Sequence, residues 1–274
     1  MLKKKWSQTA HETWQIDGKE RVKLGNGEEV SWMNIADEGS GAHLSIFVDE
    51  HRTVAAMDAS IATQRINQSF EKWGLPKAIK VDNGHPFVNP NGRDSPTKSI
   101  LWWAGLGIEV IQNTPRCPQQ NGIVESLQGT MCKWSNPKGQ KNIESLQKRL
   151  NEESEFQRNH YRLRSRNNKT RLELYPELEN NDEVYDSNKF NMNLVYKYLS
   201  KKILKRRVGT NGVVKFLKQQ VCIGSKYFGL PVTITFDSIE IEWMIRKKDG
   251  TLLKTTKKGV PKEKEIVDFA LGRK

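Results

Sequence analysis

The order of strand-like and helical segments over residues 13–134 most constrains what this 274-residue chain can fold into. Three β-type runs come first, at 13–17, 30–37 and 42–49. From Ser60 apolar residues recur with a helical period, and two further strand-like runs then alternate with helical ones. These strands are expected at 75–82 and 108–112, and the helices at 60–73, 97–107 and 121–134. The order β-β-β-α-β-α-β-α predicts an α/β domain with a mixed five-stranded sheet and flanking helices.

The second part of the chain has a different pattern. Residues 172–190 are polar and acidic, and after Val208 only short strands with tight-turn signals follow, which predicts a small β-barrel. We therefore expect five parts: an N-terminal extension (1–12), an α/β core (13–176), a linker with a basic end (177–207), a β-barrel (208–260) and a basic tail (261–274). The polar stretch 18–29 is expected to be the first hairpin loop of the core.

The positive charge is concentrated near the C-terminus. Residues 191–274 hold 19 Lys and Arg against 7 Asp and Glu, a net charge of +12, whereas residues 1–190 hold 26 against 25, a net charge of +1. Because Lys and Arg neutralise phosphates, a basic module beside a nearly neutral one predicts a nucleic-acid-binding domain next to a catalytic domain. The alternative is a basic surface that only favours solubility.

Other features of the composition exclude several classes of protein. The three cysteines lie far apart, so the sequence predicts neither a disulfide framework nor a cysteine-based zinc site. No apolar run approaches the roughly 18 residues of a membrane span, and the first residues lack the apolar stretch of a signal peptide. We expect a cytoplasmic protein, associated with the nucleoid if the host is bacterial.

The stretch KVDNGHPF at 80–87 raises the question of catalysis. Asp82 ends an apolar run and precedes Asn83 and Gly84, a sequence that fits either a polar turn or a carboxylate held at a strand tip. Asp17 ends the first predicted strand in the same way. In a sheet of this order the two strands can be neighbours, so the two carboxylates are expected side by side.

Glu125 is the third candidate acid. On the helix predicted at 121–134 it points about 165° away from the apolar stripe, at 100° per residue. Such a glutamate is ordinarily a solvated surface residue. Three clustered carboxylates, however, suit two Mg²⁺ or Mn²⁺ ions about 4 Å apart, which can catalyse in-line phosphoryl transfer. Asp17, Asp82 and Glu125 are therefore the predicted catalytic and metal-binding residues.

Three blocks of the sequence resemble a known family. WQID with Asp17, VDNGHPF with Asp82, and PRCPQQNGIVESLQGTMCKW with Glu125 are similar to the signature blocks of the retroviral-type integrase catalytic core, which includes the DDE transposases and integrases of bacterial insertion sequences. The resemblance implies an RNase H-like fold followed by an SH3-like barrel, dependence on Mg²⁺ or Mn²⁺, and 3′-end cleavage and strand transfer of DNA. It also implies multimers on paired DNA ends, and loops shaped by Asn83, Gly84, Asn121 and Gly122.

DNA contacts are expected from polar and basic residues around the core and before the barrel. They are Arg116, Gln119, Lys133, Arg158, Arg162, Arg164, Arg166, Lys201, Lys202, Lys205, Arg206 and Arg207. Relatives usually carry an upstream DNA-reading module, and no such pattern precedes Trp14. A separate helix-turn-helix or ATPase partner is one expectation, and a lost upstream part or a late start of the reading frame are the alternatives.

Two rival functions stay open at this point. The first is a metal-dependent nuclease of the same fold that cuts DNA without joining it. The second is a DNA-binding protein derived from a transposase that no longer catalyses, although the presence of all three acids argues against it.

Overall fold

A computed structural model describes residues 8–88, 95–113 and 122–273. These residues divide into two compact units. The first contains the described residues up to 88 and those from 108 to 187, and the second contains 95–107 and 188–273.

The described residues form eleven strands and seven α-helices. The strands are β1 (Thr13–Lys23), β2 (Glu29–Asp37), β3 (His43–Asp49), β4 (Ala78–Val81), β5 (Glu109–Gln112), β6 (Ile203–Arg207), β7 (Val213–Phe216), β8 (Gln219–Cys222), β9 (Pro231–Asp237), β10 (Glu242–Lys247) and β11 (Leu252–Thr256). The helices are α1 (Ala59–Trp73), α2 (Lys98–Gly105), α3 (Gly122–Ser135), α4 (Ile143–Asn159), α5 (Arg171–Leu174), α6 (Met192–Ser200) and α7 (Glu263–Leu271).

The first unit is built on a mixed five-stranded sheet. Its strand order is β3-β2-β1-β4-β5. The pairs β1/β2 and β2/β3 are antiparallel, whereas β1/β4 and β4/β5 are parallel. Three meander strands joined to two parallel ones, with helices between and after them, make up an RNase H-like core. The predicted fold class is therefore confirmed.

Helices α3 and α4 cover one face of this sheet. Met131 of α3 and Leu150 of α4 pack in one cluster with Trp32 and Ile46 of the meander. Helix α1 begins at Ala59, one residue before the expected start, and is capped by Asp58, whose carboxylate accepts N–H bonds from residues 60 and 61; it ends at Trp73, and the following Gly74 has a φ of 74°, which favours glycine. The bounds of α2 and α3 follow the sequence pattern closely.

The first hairpin differs from the prediction. Residues 18–29 were expected to be a loop, but β1 continues to Lys23 and β2 begins at Glu29. The reason is that Val22 pairs with Val30 across the ladder, and that both are buried. Asp17 consequently lies inside a strand and not at its end.

The second unit combines two small β-sheets with three helices. Its strands pair in a four-stranded sheet of order β11-β10-β9-β6 and in a two-stranded sheet of β7 and β8. Trp243 lies edge-on to Phe216 and Phe236, which brings the two sheets around one core. Trp102 of α2 stacks on Phe190 with 5.0 Å between the ring centroids. The tryptophan is fully buried, as core packing requires.

Two segments expected to lack regular structure contain it. The predicted linker 177–207 includes α6 and β6, because Val195, Leu199 and Leu204 bury apolar side chains in the second unit. The predicted basic tail 261–274 contains α7, whose Ile266 and Ala270 are buried. In the described part of the chain, no helix is both long enough and apolar enough to cross a membrane.

Candidate active site

The register of two parallel strands brings the two candidate aspartates together. Thr13 of β1 pairs with Ala78 of β4, and Gln15 pairs with Lys80, a constant offset of 65 residues. Asp17 and Asp82 are separated by the same 65 positions. Strand β4 ends at Val81, so Asp82 is the first residue beyond it, whereas β1 continues past this point alongside β2.

The carboxylate of Asp17 is surrounded by other acids. Burial, and to a lesser extent the negative charges of Asp82 and Glu125, together raise its pKa from 3.8 to about 6, against the opposing effect of hydrogen bonds from Gly18 and Gln128. The amide Nε2 of Gln128 donates to Asp17 Oδ2 at 2.9 Å. This hydrogen bond fixes the orientation of one oxygen of the carboxylate.

The turn after β4 shapes the surroundings of Asp82. The backbone N–H of Gly84 donates to Asp82 Oδ1 at 3.1 Å, and a Cβ at position 84 would lie 2.9 Å from the second carboxylate oxygen. The amide of Asn83 donates to the carbonyl of Asn113 at 2.6 Å, which ties this turn to the end of β5. Burial raises the pKa of Asp82, and the Gly84 hydrogen bond opposes that rise.

Helix α3 carries Glu125 in its first turn. Its neighbours Val124 and Leu127 are buried against the sheet, whereas Glu125 is exposed, as the helical pattern predicted. Gly122 is the first helical residue. Gln128, one turn after Glu125, reaches Asp17 across the helix–sheet contact. Gln128 is not among the residues predicted from the sequence, although its spacing of three residues from Glu125 places the two side chains on the same face of the helix.

The donor set fits a hard divalent cation. Carboxylate oxygens are the ligands that Mg²⁺ and Mn²⁺ prefer, and an added positive charge would offset both the burial and the repulsion that raise the Asp17 pKa. Within residues 8–88, 95–113 and 122–273, no group of three His, Cys, Asp or Glu side chains is arranged so that it could hold a metal ion. The structure therefore brings Asp82 and Glu125 within electrostatic reach of Asp17 without itself defining coordination.

One predicted DNA contact is wrong. Arg158 is buried, and its guanidinium donates to the carbonyl of His43 and stacks over the ring of Trp73 at 4.8 Å. Burial lowers the pKa of this guanidinium to about 10. Because its donors face the interior of the first unit, Arg158 is a packing residue.

The other predicted DNA contacts have three different settings. Arg116, Gln119 and the loop residue Asn121 lie outside the described residues. Exposed side chains that stay predictions are Lys133, Arg164, Arg166, Lys201, Lys205 and Arg207. Arg162 is exposed but pairs with Glu173 at 3.3 Å, Lys202 is half-buried over the ring of Tyr198, and Arg206 donates to the carbonyl of Lys215.

Comparison with known proteins gives similar retroviral structures. No protein-family model matches the chain. The catalytic core of the HTLV-2 integrase, solved with magnesium, matches over 61% of this chain and 97% of that one, with 17% identity and a TM-score of 0.46. The simian T-cell lymphotropic virus intasome with a PP2A regulatory subunit matches over 91% and 77%, with 14% identity and a TM-score of 0.49. The BIV integrase core matches over 62% and 97%, with 17% identity and a TM-score of 0.43. Likenesses this distant do not transfer an activity.

Proposed function

We propose that this protein is a DNA transposase or integrase, a metal-dependent polynucleotidyl transferase that cleaves DNA at 3′ ends and joins those ends to a target. The observation that carries the proposal is that the register of β1 and β4 sets Asp17 level with Asp82, and that the charges of Asp82 and Glu125 add to the rise in the Asp17 pKa that burial causes. Acids that repel one another in this way are costly unless a cation compensates them.

The proposed reaction is an in-line phosphoryl transfer. The oxygen of a water molecule attacks a backbone phosphorus, the P–O3′ bond breaks, and the departing 3′ oxygen takes up a proton. In the joining step the freed 3′ hydroxyl attacks a target phosphorus, loses its proton, and displaces a second 3′ oxygen. No covalent intermediate with the protein is required.

The protein's own residues would hold the reacting groups. Asp17, Asp82 and Glu125 would bind two Mg²⁺ or Mn²⁺ ions, which activate the attacking hydroxyl and stabilise charge on the leaving oxygen. Gln128 orients the Asp17 carboxylate by donating to its Oδ2 at 2.9 Å. Gly84 holds Oδ1 of Asp82, and the absence of a side chain at Gly84 keeps the space beside that carboxylate open.

DNA would be bound by both units. The exposed arginines of the 164–166 turn and the basic residues of 201–207 are proposed phosphate contacts, since Lys and Arg side chains supply most of the affinity for a polyanion. Joining two element ends to one target requires more than one active site, so a homo-multimer on DNA is part of the proposal.

The experiment is a strand-transfer assay with a pre-cleaved DNA end bearing a free 3′ hydroxyl, in Mg²⁺. Asp82→Asn should lower joining by more than about 100-fold, the upper end of the loss seen when only an outer-shell partner of a metal is removed. The matched control is Glu20→Gln, which removes an exposed carboxylate from the same sheet, on β1. This control should join DNA as the unaltered protein does.

The same assay distinguishes the rivals. Cleavage of an intact end without any joined product would replace the proposal by a nuclease. DNA binding with neither cleavage nor joining would indicate a protein that has lost catalysis. Joining by Asp82→Asn at the level of the control would refute the assignment of the acids.

A further inference from the structure

Three buried polar residues, Gln15, Glu38 and Lys80, lie next to the candidate acids. Gln15 and Lys80 are cross-strand neighbours on β1 and β4, each two positions before an acid of the candidate site. Both are buried, Gln15 completely, and Glu38 is buried between them. Gln15 Nε2 donates to Glu38 Oε2 at 2.6 Å, and the ammonium of Lys80 forms an ion pair with the same oxygen.

The other end of the Gln15 amide reaches the third acid's helix. The backbone N–H of Val124, in the first turn of α3, donates to Gln15 Oε1 at 3.2 Å. The first N–H groups of a helix have no partner within the helix, so this side chain on β1 satisfies a donor at the start of α3. Glu125 is the next residue along the chain.

We propose that Lys80, Glu38 and Gln15 form a positioning bridge that fixes the start of α3 and thereby sets the place of Glu125 relative to Asp17 and Asp82. The consequence for catalysis rests on the proposed function, whereas the anchoring of α3 does not.

The bridge works through the orientation of one amide. A carboxylate only accepts hydrogen bonds, so Glu38 requires the NH₂ end of the Gln15 amide to face it. The carbonyl end must then face Val124, where it accepts the helix N–H. Lys80 supplies the charge that compensates Glu38 in the interior. In a reversed amide the NH₂ group of Gln15 would face the N–H of Val124, and both groups are donors. The ion pair therefore determines which end of the Gln15 amide anchors the helix.

Stability alone does not account for a charged pair at this place. Removing two charges from water costs about as much as their attraction returns, and apolar replacements are often neutral or stabilising. A buried pair that also fixes the direction of a hydrogen-bonded amide has a use that apolar side chains cannot provide.

The test compares Gln15→Met with Gln157→Met. Gln157 of α4 is similarly buried, and its amide likewise makes two hydrogen bonds, here with the N–H of His43 at 3.1 Å and the carbonyl of Gly41 at 3.0 Å. None of its hydrogen bonds in the described residues reaches α3. Both variants lose two hydrogen bonds, so both should unfold at a similarly lowered temperature. Only Gln15→Met should affect α3.

Two readouts separate the anchoring from the catalysis. Hydrogen exchange of the Val124 amide should be about fivefold faster in Gln15→Met, the factor for one lost hydrogen bond, and unchanged in Gln157→Met. The Mg²⁺ concentration for half-maximal joining should rise about tenfold in Gln15→Met and by less than about twofold in the control. DNA affinity should not differ between the variants.

The outcomes are decisive in each direction. Unchanged Val124 exchange in Gln15→Met, or an equal Mg²⁺ requirement in both variants, would overturn the bridge. If the unaltered protein does not join DNA but Val124 exchange accelerates as expected, the proposed function fails and the anchoring stands. If Gln15→Met does not fold, the double variant Glu38→Gln with Lys80→Met, which removes both charges of the ion pair, takes its place. It should change Val124 exchange and the Mg²⁺ requirement in the same directions, by smaller factors. Unchanged values in the double variant would refute the proposal.

Discussion

Two aspartates on the same sheet have opposite electrostatic settings. Asp49 ends β3 and is contacted by a guanidinium and an imidazole: Arg65 Nη1 donates to its Oδ2 at 2.9 Å, and the imidazole of His51 lies 2.6 Å from its Oδ1. Burial of Asp49 is outweighed by the hydrogen bonds from His51 and by the charge of Arg65, so the pKa of this carboxyl is lowered.

Asp17 shows the reverse. Burial and the charges of Asp82 and Glu125 raise its pKa to about 6, and among the described residues the groups that act on it include no cation. The difference separates a structural acid from a candidate ligand: the protein supplies the counter-charge of Asp49, and we propose that a bound metal ion supplies that of Asp17. The end of an apolar run in the sequence, which both residues mark, does not by itself distinguish the two.

Removal of the Asp49 carboxylate has the larger expected effect on stability. Asp49→Asn leaves the partly buried Arg65 without its charged partner, so the free energy of unfolding at pH 7 should fall by about 2 kcal/mol. Urea unfolding measures this change, with Glu20→Gln as the exposed-acid control. A loss no greater than that of the control would mean that the Asp49 contacts do not contribute to the free energy of unfolding. Asp49 would then not be a structural acid.

Removal of the Asp17 carboxylate should have a smaller effect of opposite sign. The folded-state pKa of about 6 lies above the ordinary 3.8, so between these values the folded protein retains a proton that the unfolded chain has released. Stability therefore falls as the pH rises through this window. After allowance for partial exposure, Asp17→Asn should stabilise the protein by about 1 kcal/mol at pH 7.5 in EDTA.

The pH dependence provides the control for that prediction. At pH 4 both the native and the substituted side chains are largely uncharged in the folded state, so the gain from Asp17→Asn should disappear. Thermal unfolding at the two pH values measures it. A gain at pH 4 equal to that at pH 7.5 would show that relief of charge repulsion is not the cause.

The sequence was sufficient to predict the first sheet and its candidate acids. The period change after residue 60 and the short apolar run before Asp82 located α1 and β4. The spacing on the third helix correctly predicted that Glu125 is exposed while Leu127 is buried. These features are local, because they depend on periodicity within one element.

The features that were missed depend on tertiary contacts. Charged residues are ordinarily exposed, so nothing in the local pattern indicated that Lys80 and Glu38 form a buried pair. The extension of β1 to Lys23 follows from burial of Val22 in a polar stretch. Helix α7 follows from burial of Ile266 and Ala270 in a charged stretch. Arg158 was read as a surface cation for the same reason.

We propose that the clustered carboxylates bind the catalytic metal directly. A variant that changes the metal preference of the joining reaction tests this. Asp82→Cys replaces an oxygen ligand by a sulfur, which binds Mg²⁺ poorly and Mn²⁺ better. Joining of a pre-cleaved DNA end should be lost in Mg²⁺ and partly restored in Mn²⁺, while Glu20→Gln stays active in both. Equal joining by Asp82→Cys in Mg²⁺ and Mn²⁺ would contradict the account.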